Sequence, residues 1–215
     1  MPNSFYIQNP WTGLVIDIGE NSQRPLPGTA LRANAKKTSA PGNTYQLWTF
    51  TPSNQEPVKT VLNYFFLQNA NSAYPFVIDI EEGNVITKSP GGDTIKAGSR
   101  LDAYTVKSGQ AGDLDDSRPE SSNQLWGFTQ DSESGFYFIE NWLTSFVVDI
   151  EEKGLPDGQQ PGAGAYLDAW PKKTGSLKIR NQLWQFVDPS GASVKVPPPP
   201  SVVINRLTGG STVAR

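Results

Sequence analysis

An aspartate recurs at the centre of an apolar segment at three places along the chain. The segments read Val15-Ile16-Asp17-Ile18, Val77-Ile78-Asp79-Ile80 and Val147-Val148-Asp149-Ile150. Because side chains alternate between faces along a strand, each aspartate shares a face with the valine that opens its segment. Two interpretations stay open for these carboxylates. Either they accept backbone N–H groups in a tight turn, or they accept charge-assisted hydrogen bonds from the vicinal hydroxyls of a sugar.

A second repeated segment places an acid two residues before an aromatic ring. Asp102 precedes Tyr104, and Asp168 precedes Trp170. Residues two apart on a strand lie on the same face. An aromatic ring can stack on the apolar face of a pyranose while a polar group beside it binds hydroxyls, which is the general form of a small-ligand site. The alternative is that both rings belong to an ordinary core.

A third segment, Gln-Leu-Trp-x-Phe, also occurs three times. Asn123 and Asn181 directly precede the second and third copies, and an amide offers a sugar hydroxyl both a donor and an acceptor. We interpret the tryptophans of the segment as core and its glutamines as partners of buried backbone groups. These structural residues are Gln46, Trp48, Gln124, Trp126, Gln182 and Trp184.

Composition excludes several kinds of chemistry. The 215 residues include no histidine and no cysteine, which removes a Ser-His-Asp triad, a cysteine nucleophile, Cys/His zinc sites and disulfides. The formal net charge of −3 does not suit a nucleic-acid binder. No phosphate-binding glycine loop occurs, and we expect no cofactor.

The repeated segments define three units, at about residues 4–50, 63–128 and 135–187, each with four predicted strands. One such unit cannot bury its apolar face, but three packed together can. We therefore predict an all-β domain at 1–188, a barrel with pseudo-threefold symmetry. A polar insertion lies at 107–122. A Pro-rich extension follows at 189–215, in which Val202-Val203-Ile204 has the composition of an extra strand.

These motifs together resemble the ricin B-type (R-type) β-trefoil lectins, over about residues 4–187. In that family each unit can hold one shallow sugar site, and members bind galactose or N-acetylgalactosamine at glycan ends. The resemblance implies a site in the second unit and another in the third. The residues that match the family positions are Asp79, Asp102, Tyr104 and Asn123 in the second unit, and Asp149, Asp168, Trp170 and Asn181 in the third.

The first unit departs from the family positions. Asp17 is present, but Arg32 stands at the polar position, Asn34 replaces the aromatic residue and Tyr45 replaces the asparagine. We expect this first site to be degenerate. A second departure is that Asp102 and Asp168 stand where the family often has glutamine, which leaves the sugar open. The chain is closest in character to cysteine-free fungal or bacterial members.

Other chemistry of the acids is disfavoured. The pairs Glu81-Glu82 and Glu151-Glu152 offer oxygen ligands for a cation such as calcium, but solvated turns explain them better, and no metal is assigned. Paired carboxylates are also used by glycosidases. We expect a shallow site neither to enclose a substrate nor to raise a carboxyl pKa by burial, so we predict no enzyme. Asp149 and Trp170 are expected at the surface.

The predicted function is thus a multivalent, non-catalytic lectin and agglutinin whose partners are glycans of glycoproteins or glycolipids, with a homodimer left open. Two alternatives remain, a polysaccharide-binding module of a glycosidase and a protein-binding trefoil such as a protease inhibitor. No apolar run reaches membrane-spanning length. The N-terminus lacks a signal-peptide pattern, and no cysteine or N-glycosylation sequon occurs. These features predict a cytoplasmic location, with release by a non-signal route left open.

Overall fold

A computed structural model describes residues 4–19, 24–39, 43–52, 61–81, 95–107, 123–156, 159–198 and 201–202. Within these residues the chain forms strands and short 3₁₀ segments, one of them at Arg180–Gln182, which confirms the all-β prediction. The strands are β1 (Tyr6–Gln8), β2 (Val15–Ile18), β3 (Thr29–Asn34), β4 (Trp48–Pro52), β5 (Val61–Leu62), β6 (Phe65–Asn69), β7 (Val77–Ile80), β8 (Ser99–Tyr104), β9 (Trp126–Gln130), β10 (Tyr137–Asn141), β11 (Val147–Ile150), β12 (Ala165–Trp170), β13 (Gln185–Val187) and β14 (Ser201–Val202).

Six of these strands form a closed ring. β1 pairs with β13, β4 with β6, and β9 with β10, all antiparallel. Three further antiparallel contacts link these pairs, at Phe5–Trp48, Phe65–Trp126 and Tyr137–Trp184. Closure leaves no exposed sheet edge in the ring.

The remaining long strands form three hairpins, β2–β3, β7–β8 and β11–β12. The hairpins also pair with one another through β3–β8, β8–β12 and β12–β3. Their registers place the predicted site residues opposite each other. Asp17 faces Arg32, Asp79 faces Asp102, and Asp149 faces Asp168.

Aromatic side chains fill the interior. Trp48, Trp126 and Trp184 have no exposed surface, and each indole N–H donates to a strand carbonyl, of Ile16, Ile78 and Val148 respectively. Phe50, Phe128 and Phe186 form a trio with ring centroids 5.1–5.4 Å apart. Burying such large side chains is the main favourable term for folding a barrel of this kind.

The chain after β13 returns to the ring. Ser193 pairs with Val187, Val194 N–H donates to the Phe186 carbonyl at 2.9 Å, and Val196 also packs against the core. β14 then pairs with β5. The rest of the predicted 107–122 insertion beyond Lys107 lies outside the described residues, as do Glu82, 199–200 and 203–215. In the part of the chain that is described, no helix is long and apolar enough to span a membrane.

Candidate functional site

The carboxylate of Asp149 is buried and bound entirely by protein donors. Only 3% of Asp149 is exposed. Its Oδ1 accepts from Asn181 Nδ2 at 2.6 Å, and its Oδ2 accepts from Gln182 Nε2 at 2.7 Å and from Lys173 Nζ at 3.0 Å. The expectation that Asp149 lies at the surface is therefore wrong, because the Gln-Leu-Trp segment and Lys173 cover it.

Lys173 is a member of this network that sequence reasoning missed. Its ammonium contacts Asp149, Glu152 Oε2 at 3.1 Å and Asn181 Oδ1 at 3.2 Å. Burial raises the pKa of Asp149 to about 6, against the opposing effects of the Lys173 charge and of hydrogen bonds from Lys173 and Gln182. The lysine thus holds a buried carboxylate that would otherwise be more costly to ionise.

Asp168 lies opposite Asp149 on the neighbouring strand and is only 6% exposed. Its Oδ1 is buried without a hydrogen-bond partner. Burial, followed by the charges of Asp149 and Glu151, raises the pKa of Asp168 to about 7. The expectation that this shallow site cannot raise a carboxyl pKa by burial is wrong, because the hairpin pairing shields both acids from water.

The ring of Trp170 lies at the mouth of this acidic pair and is 39% exposed, as expected for a surface aromatic. One part of the ring lies over Gly98, where a Cβ atom would come within 3.0 Å of Trp170 Cζ3. The backbone N–H of Gly98 donates to the Ala169 carbonyl at 2.9 Å. The third-unit site is therefore completed by β8 and the turn before it, which belong to the second unit.

The second unit repeats this arrangement. Asp79 is buried, accepts a hydrogen bond from Asn123 and pairs with Lys107 at 3.2 Å. Asn123 also donates to the Ile80 carbonyl at 2.9 Å. Tyr104 is 37% exposed, and the Lys107 ammonium lies 5.7 Å from its ring centroid. Asp102 lies opposite Asp79 and is buried.

In the first unit, side chains of the protein bind the carboxylate of Asp17. Asp17 is fully buried, and its Oδ2 accepts from Asn34 at 3.2 Å, Lys37 at 3.2 Å and Gln46 at 3.0 Å. Asn34, at the position of the aromatic residue, therefore binds the acid instead of presenting a ring.

The other two residues of the first site take part in structural contacts. Arg32 donates to the Gly164 carbonyl at 2.8 Å and to the Tyr166 hydroxyl at 2.7 Å. Tyr45 is half-buried and packs against Tyr74, with ring centroids 6.0 Å apart. Neither contact directs a polar group toward the Asp17 carboxylate.

Each glutamine of the Gln-Leu-Trp segment clamps a neighbouring loop. Its Oε1 accepts a backbone N–H and its Nε2 donates to a backbone carbonyl, which satisfies both ends of a buried amide. The N–H donors are Lys37, Lys107 and Lys173, and the carbonyls are those of Ala35, Thr105 and Pro171, for Gln46, Gln124 and Gln182 respectively.

The glutamates that follow the aspartate strands either form ion pairs or are exposed, as far as the structure describes them. Glu151 binds Arg100 through two hydrogen bonds of 2.9 and 3.2 Å, and Glu152 binds Lys173. Glu81 is exposed. Among the residues that the structure describes, no cluster of three or more acids is arranged to hold a metal ion.

Comparison with solved structures identifies the fold. No family model matches the sequence, and no curated protein matches it significantly. The designed three-fold symmetric protein ThreeFoil superposes with a TM-score of 0.55 and 17% identity, over 86% of this chain and 98% of the other. The Rhizoctonia solani agglutinin gives a TM-score of 0.53 and 17% identity, over 87% and 96%. An exo-β-1,3-galactanase from Clostridium thermocellum gives 0.51 and 18%, over 87% of this chain.

These similarities define a class of fold. The chain has the fold of the ricin B-type β-trefoil lectins, so the resemblance indicated by the motifs is confirmed at that level. At identities below a fifth, the similarity concerns the fold alone. The chain spans only 30% of the galactanase chain, which is a larger protein.

Proposed function

We propose that the chain is a non-catalytic lectin that binds glycans ending in galactose or N-acetylgalactosamine, through one site in the second unit and one in the third. The observation that carries this proposal is a repeated arrangement. Tyr104 and Trp170 are exposed aromatic rings at equivalent positions, and each lies two residues after a buried acid that faces a second acid. Pseudo-threefold repetition of one unit accounts for this recurrence.

The chemistry of each site follows from these groups. A pyranose ring stacks its C–H face on the aromatic side chain, and its hydroxyls meet the acid that precedes the ring. A shallow site of this kind binds at around 1 mM, about −4 kcal/mol. Two sites, or four in a homodimer, gain about 10² to 10⁴ in avidity on a glycan-coated surface. Agglutination of glycan-coated surfaces follows from that multivalency.

The first unit contributes no comparable site. Asp17 is buried under three protein donors, and no exposed ring stands at the position of Asn34. We therefore assign it a structural role.

In the third unit, Asp149 is poorly placed to act as a nucleophile or general base in glycoside hydrolysis. A nucleophile or general base needs a free lone pair directed at substrate. Both oxygens of Asp149 already accept hydrogen bonds from protein groups.

A polysaccharide-binding module is the second candidate. It is favoured by the match to part of an exo-β-1,3-galactanase chain. In that case the sites would bind internal residues of a polysaccharide instead of glycan ends.

A glycan array probed with the intact protein, with and without EDTA, tests the proposal. We expect hits that share terminal galactose or N-acetylgalactosamine and that EDTA leaves unchanged. Hits confined to polysaccharides would favour the module, and a blank array would overturn the lectin proposal in favour of a protein partner.

Variants then assign the sites. Tyr104→Ala and Trp170→Ala each remove one exposed ring, so each lowers the number of bound sugars from two to one, and the double variant binds none. Leu177→Ala, which truncates another exposed apolar side chain, is the matched control and keeps both sites. Binding that persists in the double variant would place the sugar elsewhere.

A further inference from the structure

The polar groups of the third site differ in how much hydrogen-bonding capacity they retain. Oδ2 of Asp149 accepts from two protein groups and Oδ1 from one. The three N–H groups of Lys173 have three acceptors, on Asp149, Glu152 and Asn181. Asp168, in contrast, makes no hydrogen bond or salt bridge to any residue that the structure describes, and its Oδ1 is buried. Of the two facing acids, Asp168 therefore has more hydrogen-bonding capacity left for a ligand beside Trp170.

Several charged groups surround Asp168, but the described part of the chain shows no salt bridge to it. Arg100, opposite Asp168 on β8, is engaged by Glu151 in a two-bond pair and lies 3.9 Å from the Tyr166 ring centroid. Arg32 on β3 is directed to Tyr166 as well. The charged groups on the elements packed against Asp168 are Asp149 and Glu151 from β11 and its end, Arg100 from β8, Arg32 from β3, and Lys173 after β12.

Burial of two facing acids disfavours a second negative charge. Asp149 ionises at a lower pH than Asp168, because three donors bind its oxygens. Among the residues that the structure describes, no donor binds Oδ1 of Asp168. A sugar stacked on Trp170 would exclude the remaining water from Asp168, and loss of water favours the neutral form of a carboxyl group further.

We propose that Asp168 is the ligand-contacting acid of the third site and acts as a neutral carboxylic acid, while Asp149 is a positioning residue. This inference rests on the proposed lectin function. A neutral carboxyl group donates through its O–H and accepts through its carbonyl oxygen, as a carboxamide does. It therefore suits a sugar that offers one hydroxyl as acceptor and a neighbouring hydroxyl as donor.

If Asp168 binds sugar as a neutral acid, binding at this site depends on pH. The pKa of Asp168 is raised to about 7, mainly by burial. The apparent affinity scales with the fraction of protein in the competent, protonated form. That fraction falls from about 0.9 at pH 6 to about 0.1 at pH 8 for a group with this pKa, so the affinity falls about tenfold.

The test uses the full chain carrying Tyr104→Ala, so that only the third site contributes. Methyl β-galactoside and N-acetylgalactosamine are titrated at pH 6 and pH 8. We expect about tenfold weaker binding at pH 8. Asp168→Asn, which carries a permanent donor and acceptor, should bind equally at both pH values with the affinity seen at pH 6. An unchanged affinity in the parent, a pH dependence that survives Asp168→Asn, or loss of binding in Asp168→Asn would each overturn the inference.

A second measurement separates this inference from the lectin proposal. The carboxyl carbon of Asp168 is titrated by NMR without sugar, and a midpoint near 7 supports the neutral acid whereas a midpoint below 5 overturns it. If sugar binds but the carboxyl group titrates below 5, only the inference fails. If neither sugar binds at either pH and the glycan array is blank, the lectin proposal fails, and the ligand-contacting role of Asp168 fails with it.

Discussion

The ammonium group of Lys173 lies 3.0 Å from Oδ2 of Asp149, and both side chains are largely buried. The other two units contain the same ion pair at 3.2 Å, as Lys107–Asp79 and Lys37–Asp17. An acid buried without a counter-charge would be costly, and a nearby cation with further hydrogen bonds offsets much of that cost. The repeated lysine therefore explains how an acid can stand at the centre of each apolar strand.

The first prediction concerns the loss of the Lys173 cation. Lys173→Met leaves the buried Asp149 carboxylate without its counter-charge, so we expect the free energy of unfolding to fall by about 1–3 kcal/mol at pH 8. At pH 5 the loss should be smaller, because Asp149 is then protonated and needs no cation. Urea unfolding at the two pH values measures the difference.

The matched control for this prediction is Lys178→Met, which removes an exposed lysine. It should change stability by less than about 0.5 kcal/mol at either pH. Equal losses in the two variants would show that the Lys173–Asp149 pair contributes nothing to stability.

The fold was largely predictable because local pattern determines it. The three repeated apolar and aromatic segments coincide with the strands that form the hairpins and the ring, since each segment has the alternation that a half-buried strand requires. The tryptophan segments could be recognised as interior for the same reason. Burial of Asp149 could not be predicted, because it arises from Gln182 and Lys173, which are distant in sequence.

A signal for the lysines was nevertheless present. Each unit has a lysine six residues after the leucine of β3, β8 or β12. These lysines are Lys37, Lys107 and Lys173. The insertion after Lys107 lengthens the distance in sequence from this lysine to Gln124. The repeated position of the lysine is therefore not apparent when positions are counted from the glutamine. The part of the site that crosses between units, such as Gly98 under Trp170, has no sequence signal at all, because it depends on how the hairpins pair.

The second prediction concerns stability and pH. The folded-state pKa values of Asp149 and Asp168 are raised to about 6 and about 7 by burial, from an ordinary value near 3.8. Between about pH 4 and 7 the folded protein therefore binds more protons than the unfolded chain, so its stability falls as pH rises through this window. The free energy of unfolding measured with urea should be higher at pH 5 than at pH 8, by roughly a few kcal/mol.

Asp168→Asn provides the check on this assignment. It removes the larger of the two shifts, so the stability difference between pH 5 and pH 8 should shrink markedly. A wild-type protein that is as stable at pH 8 as at pH 5 would contradict the raised pKa values.

The third prediction tests the close approach at Gly98. Gly98 has φ of +84° and Gly154 has φ of +78°, so alanine is strained at both positions by about 1–2 kcal/mol. Only at Gly98 would the new Cβ meet another side chain, 3.0 Å from Trp170 Cζ3, whereas nothing lies within 4 Å at Gly154. Gly98→Ala should therefore displace the Trp170 ring and weaken third-site binding, while Gly154→Ala should lower stability and leave binding unchanged. Sugar titration with thermal unfolding measures both effects, and equal binding in the two variants would exclude Gly98 from the site.

The last prediction concerns Asn9, which joins the first unit to the third. Its buried amide donates to the carbonyls of Arg180 at 2.7 Å and Leu183 at 3.0 Å, and its Oδ1 accepts from the N–H groups of Trp11 and Thr12. Asn9→Ala leaves several buried backbone groups without partners, so we expect a loss of about 2–4 kcal/mol in the free energy of unfolding.

The same change should weaken sugar binding at the third site. The two carbonyls that Asn9 holds flank Asn181 and Gln182, which bind the Asp149 carboxylate, so releasing them loosens the acid as well. Asn71→Ala is the matched control, because Asn71 supports only a turn, through a hydrogen bond from the Ala73 N–H group. Urea unfolding and sugar titration of both variants decide the matter. If Asn9→Ala destabilises the chain but leaves third-site affinity intact, Asn181 and Gln182 hold Asp149 without help from the first unit.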